Sequence, residues 1–354
     1  MRRRQLLWLA GAAALPAHAQ IRRRPLVFPR DHGAHPDTRT EWWYATGWAG
    51  TPEAPRWGYQ LTFFRSRTGL AEDLQSRFAP RQILFAHAAL TDLDARRHHH
   101  AQRIARWSGD TAEGPAWART DDVGVRLGDW WLERSGPGYR ARLPAAGFGL
   151  DLTLAPTQPL LLQGDAGFSR KGPEERQASH YVSEPQLTAT CRFNADGRPV
   201  EARGVAWMDH EWSDEILHPE AVGWDWIGIN LFDGGALTAF RLRRADGSAL
   251  WAGGSWRASG GTAAAFAPAD VVFTPGRRWA SPATRAEYPV EWQVDTPAGR
   301  WRVRALLDGQ ELDSRGGTGA VYWEGLSELL DERGRRVGLG YLEMTGYASR
   351  LRLG

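Results

Sequence analysis

The chain has 354 residues, enough for about two domains of ordinary size. Its 40 Gly, 21 Pro and 19 Trp, within 42% hydrophobic content, favour many short strands with aromatic interiors over long helices. The formal charge is +3, yet the first 19 residues hold three arginines and no acid; the rest balances 41 basic against 41 acidic side chains, without the broad basic face of a nucleic-acid-binding protein.

Residues 1–19 read as an export signal. Arg2-Arg3-Arg4 is a basic start, Leu6-Leu7-Trp8-Leu9-Ala10 opens an apolar stretch too short to span a bilayer, and Ala17-His18-Ala19 is a small-x-small cleavage site. Arg3-Arg4-Gln5-Leu6-Leu7 fits a twin-arginine route, with a plain secretory signal as the alternative. The expected mature protein is periplasmic or secreted, starts at Gln20 and has no membrane-spanning segment. Its one cysteine, Cys191, permits no intramolecular disulfide, so packing must stabilise it.

Phe28–Pro36 is interrupted by proline and glycine and reads as an ordered, non-helical approach. Glu41–Trp48 and Trp57–Phe64 form an expected hairpin across Gly50–Pro55, and Ile83–Thr91, containing His87, is another strand. His98–Arg119 reads as mixed and peripheral; three consecutive histidines there alternate sides and do not converge on a metal. Strands are expected again at Val125–Arg134, Tyr139–Leu143 and Phe148–Leu154.

Gln163–Gln177 is rich in glycine and charge and carries Lys171, the only lysine of the chain. It reads as a linker, lid or rim loop. A Schiff-base role for Lys171 stands beside simple compositional bias. The domain boundary is expected near 180, giving β domains at 20–180 and 181–354. The second half repeats the pattern with Trp224–Leu231, Ala236–Arg243, Ala249–Arg257, Val290–Asp295, Trp301–Ala305, Ala320–Leu330 and Gly338–Tyr347, the earlier strands joined by Asp-Gly turns. Such spacing predicts antiparallel barrels or sandwiches.

The densest chemistry lies at Asp209-His210-Glu211-Trp212 and Gly223-Trp224-Asp225-Trp226. Strand alternation puts His210 and Trp212 on one face with Ala206 and Met208, and Asp209 and Glu211 on the other with Val205 and Trp207. His210 is read as a base or as a packed, hydrogen-bonded histidine. Asp209 and Glu211 are read as an acid pair or as arginine partners. Asp225, among Trp and Ile, is read as a proton donor if buried without a cation, or as half of a salt bridge. His32, His35 and His87 with Glu41 are a possible metal set, and no Gly-x-Ser-x-Gly or His-Glu-x-x-His motif is present.

Phe28–Pro36, Glu41-Trp42-Trp43-Tyr44, Phe85-Ala86-His87-Ala88, Leu162–Gly172, Asp209–Ser213 and Tyr341–Tyr347 together resemble the AttH/CrtC lipocalin-like family, whose members include secreted proteins described as hydrolases and carotenoid 1,2-hydratases. The resemblance covers nearly the whole mature chain. It implies two consecutive lipocalin-like antiparallel β-barrel domains with a hydrophobic ligand site and no cofactor. His210 and Trp212 match a His-x-Trp pair of the hydratase branch. The Tyr and Asp of that branch's next strand have no counterpart in Ala236–Arg243, which leaves Asp225 as the candidate acid. Trp42, Tyr44, His87, Trp212, Trp224, Trp226, Phe240 and Tyr322 are the expected ligand-binding side chains. The leading expectation is acid/base chemistry on an isoprenoid or lipid-like substrate. The alternatives are a periplasmic carrier of hydrophobic ligands beside an ABC-type transporter permease, and a metal-assisted hydrolase.

Overall fold

The computed structural model describes residues 21–351, except 71, 75, 77, 78 and 110–113. The expected signal, residues 1–19, lies outside the described residues. The protein is all-β, as the sequence predicts.

The first sheet contains β1 (Thr40–Gly50), β2 (Pro55–Arg67), β3 (Gln82–Asp92), β4 (Arg97–Trp107), β5 (Ala116–Ala118), β6 (Gly124–Leu127), β7 (Trp130–Ser135), β8 (Gly138–Pro144), β9 (Phe148–Ala155), β10 (Leu161–Leu162), β11 (Phe168–Arg170), β12 (Ala178–Ala195) and β13 (Arg198–Ser213). Its order, β4-β3-β2-β1-β13-β12-β9-β8-β7-β6-β5, curls into a nearly closed barrel, with β10 and β11 pairing to β12. The second sheet contains β14 (Ala221–Leu231), β15 (Ala236–Arg244), β16 (Ala249–Arg257), β17 (Ala263–Ala265) and β18 (Val272–Pro275). After a small separate hairpin, β19 (Arg278–Ala280) and β20 (Glu287–Pro289), it continues with β21 (Glu291–Thr296), β22 (Gly299–Ala305), β23 (Glu311–Ser314), β24 (Ala320–Leu330) and β25 (Arg336–Thr345). The order is β17-β16-β15-β14-β25-β24-β22-β21-β18, with β23 on β24.

Two expectations shift. His98–Arg119 is not wholly peripheral: β4 pairs along its length with β3, its mixed composition reflecting one face toward the barrel and one toward water. The chain passes from one sheet to the other between Ser213 and Ala221, beyond the boundary expected near 180. The reason is pairing: β12 and β13 close against β9 and β1, so the Asp209–Trp212 stretch belongs to the first sheet.

Alternation along the strands makes two kinds of surface. In β1 and β2, Trp43, Ala45, Leu61 and Phe63 point into the first barrel, where burying each large apolar side chain contributes about 1.5–3 kcal/mol. In β14 and β25, Ile227, Ile229, Leu342 and Met344 pack within the second sheet's core. The remaining faces of β1, β13, β14, β15, β24 and β25 are largely aromatic and aliphatic, with a few acids set among them. Tyr44, Trp48, Trp207, Trp226, Phe240 and Tyr341 share one cluster, so the outer face of one sheet packs on the outer face of the other. This interface holds the site.

Candidate functional site

Between the two sheets lies a cavity of about 150 Å³. Trp42 and Tyr44 from β1, Phe64 from β2, His87 from β3 and Asp209 and Glu211 from β13 form one wall. Trp224 and Trp226 from β14, Phe240 from β15, Tyr322 and Glu324 from β24 and Glu343 from β25 form the other. Lys171 and Tyr181 complete it. Two glycines shape the aromatic wall by leaving room for rings: a Cβ on Gly228 would lie 2.3 Å from the Trp226 indole, and one on Gly253 would lie 2.9 Å from the Phe240 ring.

The expected ligand-binding residues Trp42, Tyr44, His87, Trp224, Trp226, Phe240 and Tyr322 all line this cavity. His210 and Trp212 do not. Alternation assigned the two faces of β13 correctly, but the side toward the cavity is that of Asp209 and Glu211. His210 and Trp212 point into the end of the first barrel, which the approach segment covers. There His210 Nε2 lies 3.0 Å from Glu41 Oε1 and its Nδ1 lies 3.1 Å from the Asp31 carbonyl. Its ring stacks on Trp43, and Trp212 stacks on His35.

Asp225 is likewise corrected as a proton donor. It is fully buried on the core side of β14, ion-paired to Arg241 at 2.7 Å and accepting a hydrogen bond from the Tyr347 hydroxyl at 2.8 Å. Its neighbours Trp224 and Trp226 point the other way, into the cavity, as strand period requires.

The metal set also separates. His87 sits in the cavity wall, 2.6 Å from the Tyr322 hydroxyl and 3.0 Å from Ser314 Oγ, and burial lowers its pKa to about 3. Among the described residues only His35, Glu41 and His210 converge closely enough to suggest a cation site. Their donor set does not fit one. Glu41 already accepts hydrogen bonds from the His35 backbone and ring, from His210 and from Arg65 Nε at 2.7 Å, and the Arg65 guanidinium repels a cation. Burial alone would raise the Glu41 carboxyl, but Arg65 and His35, with His210, hold it well below its usual range. This is a structural network that fastens residues 31–35 to the barrel.

The cavity acids behave in the opposite way. Burial pushes Asp209 up to about 7, although Ser183 Oγ, Tyr181 Oη and Trp207 Nε1 donate to it at 2.5, 2.8 and 2.7 Å. The Trp226 indole in turn donates to Tyr181 Oη at 3.0 Å, linking both walls. Glu324 and Glu343 stand directly opposite each other in the β24–β25 register. Burial raises Glu343 to about 7, and burial with its neighbour Glu343 holds Glu324 well above the usual carboxylate range. Like charges this close do not both ionise, so the pair retains a proton. The buried Oε1 of Glu324 and the Tyr44 hydroxyl interact with each other, but outside good hydrogen-bond geometry.

Lys171 is 4% exposed, with Nζ 2.9 Å from Glu211 Oε1 and over the rings of Tyr181 and Phe240 at 4.6 and 4.2 Å. Glu211 also accepts a hydrogen bond from Ser179. Sequence reading missed Glu324, Glu343 and Tyr181. The usable signal was period two: Tyr322 and Glu324, and Glu343 and Thr345, share faces of strands whose alternate residues are core.

The AttH-like family model matches residues 19–347. The chain belongs to the AttH-like family. A solved structure from Nitrosomonas europaea, classed as an AttH, is 46% identical, covers 92% of this chain and 98% of its own, and superposes with a TM-score of 0.83. Kievitone hydratase from Nectria haematococca, at 14% identity, covers 92% of this chain and 94% of its own with a TM-score of 0.69, and shares the fold. No curated protein matches this chain. No helix among the described residues of this AttH-like protein is long and apolar enough to cross a membrane.

Proposed function

We propose that this AttH-like protein is an enzyme that adds water to, or removes it from, an apolar alkene or alcohol held between the two sheets. The observation that carries this reading is the Glu324–Glu343 carboxyl pair, protonated near neutral pH and facing an aromatic cavity. Hydration of a carbon–carbon double bond needs an acid that still holds its proton at working pH and surroundings that tolerate the resulting carbocation. In this reading the pair gives a proton to one alkene carbon while the π electrons form the new C–H bond. The ring faces of Trp42, Trp224 and Trp226 stabilise the cation at the adjacent carbon. Water adds there, and Asp209, on the facing wall with a pKa near 7, takes the proton that the water loses. Removal of water runs the same steps backwards. Lys171 and Tyr181 hold the facing acids in place.

The hydratase among the structural relatives supports this reading through shared fold. The substrate class we favour is isoprenoid or lipid-like, because the cavity is walled largely by aromatic rings. Export is part of the proposal and rests on the basic-apolar-small pattern of residues 1–19; cell fractionation finding the protein only in cytoplasm would contradict that part.

The direct test offers the protein a phenol bearing a 3-methylbut-2-enyl group in water labelled with heavy oxygen. The expected product is a tertiary alcohol carrying the label. Recovery of tightly bound but unaltered compound, across a panel of such alkenes, would instead favour a carrier of hydrophobic ligands.

A further inference from the structure

We infer that the cavity selects organic cations, compact protonated amines with an apolar substituent, over neutral molecules of similar shape. The inference rests on reading the cavity as the ligand site. Four carboxyl groups line it: Asp209, Glu211, Glu324 and Glu343. Lys171 is the only cationic side chain among the described residues lining it, and that charge is matched by Glu211 at 2.9 Å. The other three acids face the cavity without a cation. Asp209 is bonded only to neutral donors, and Glu324, 2% exposed, has the neutral Tyr44 hydroxyl beside it, placed outside good hydrogen-bond geometry for Oε1.

A buried acceptor whose donor is poorly placed is under-satisfied, and a ligand N–H would satisfy it better. The surrounding rings supply the second half of the recognition, since ammonium groups are attracted to aromatic faces most strongly where water is excluded. The Lys171 ammonium, held over Tyr181 and Phe240, already shows that this wall accommodates a cation.

Binding such a ligand would also expel a proton. Asp209 and Glu343 titrate at about 7, and a neighbouring positive charge favours their ionised forms. The other titratable groups facing them do not compete: burial drives Tyr44, Tyr181 and Tyr322 up and His87 down, leaving all four neutral, and Lys171 is paired with Glu211.

The experiment is calorimetric titration of the purified protein at about pH 7 with N,N-dimethylhexylamine and with hexan-1-ol, each in two buffers of different ionisation enthalpy. The expected result is at least tenfold tighter binding of the amine, with a buffer-dependent heat that reports proton release. The Glu324→Gln/Glu343→Gln variant should lose the preference while still binding the alcohol. Equal affinity for the two probes, or amine binding without proton release, overturns the inference and leaves the proposed reaction standing. Binding of neither probe contradicts the ligand site as well.

Discussion

Glu324, buried, and Glu343, half-buried, face each other across β24 and β25 as direct register partners, without an ion-pairing arginine or lysine among the described residues. Two buried acids elsewhere in this arginine-rich protein are ion-paired: Glu41 with Arg65, Asp225 with Arg241. Leaving an acid pair unmatched in an apolar cavity is costly to stability, and such groups concentrate where chemistry is done.

Replacing Glu343 by Gln keeps the shape and removes the proton. Turnover of a hydrated alkene should fall by roughly two to four orders of magnitude, the usual contribution of a positioned general acid. Circular dichroism should show the fold unchanged, and steady-state kinetics should place the loss in kcat.

Stability should depend on pH through the same groups. The carboxyls of Asp209 and Glu343 carry folded-state values of about 7, against roughly 4 in an unfolded chain. The native state therefore binds more protons than the unfolded state between those values. This contribution to stability is complete below about pH 4 and is lost as pH rises through about 7. Asp31 and Glu41, held low, act oppositely and contribute stability that is lost on acidification. Scanning calorimetry of Asp209→Asn should show a shallower fall in Tm between about pH 4 and 7 than the parent protein.

His210→Ala should be a stability variant. It removes a donor from the buried Glu41 carboxylate and a stacking partner from Trp43, so a loss of about 2–4 kcal/mol is expected by denaturant unfolding. Activity per folded molecule should be retained, because the imidazole points into the barrel end rather than the cavity.

Asp225→Ala should likewise destabilise without touching chemistry. It leaves the nearly buried Arg241 guanidinium without its carboxylate, a change that costs about 3–5 kcal/mol. Arg241→Met combined with Asp225→Leu should recover much of that loss in the same unfolding measurement, since apolar replacement of a whole buried pair is often tolerated.

The strands were legible because alternation of apolar residues and Asp-Gly turns is local information, and the two faces of β13 could be assigned from it. What alternation cannot say is which face looks at which neighbour. From Ala206 to Ser213 both faces of β13 are buried, one against the barrel and one against the second sheet, so His210 and Asp209 were equally compatible with a site. The aromatic wall was found because Trp224, Trp226, Phe240 and Tyr322 are conspicuous by type. Glu324 and Glu343 were not found, because two glutamates 19 positions apart become a pair only through the β24–β25 register. Lys171 was visible as the sole lysine, but its contact with Glu211 depends on how the 163–177 segment returns over the cavity.

The central claim is that the ligand sits between the sheets, against Glu324, Glu343 and Tyr44. A crystal structure of the protein soaked with N,N-dimethylhexylamine tests it most directly. The account predicts ligand density in the inter-sheet cavity with its nitrogen toward Glu324. Density confined to the barrel end beside His210 and Trp212, with the inter-sheet cavity empty, would contradict it.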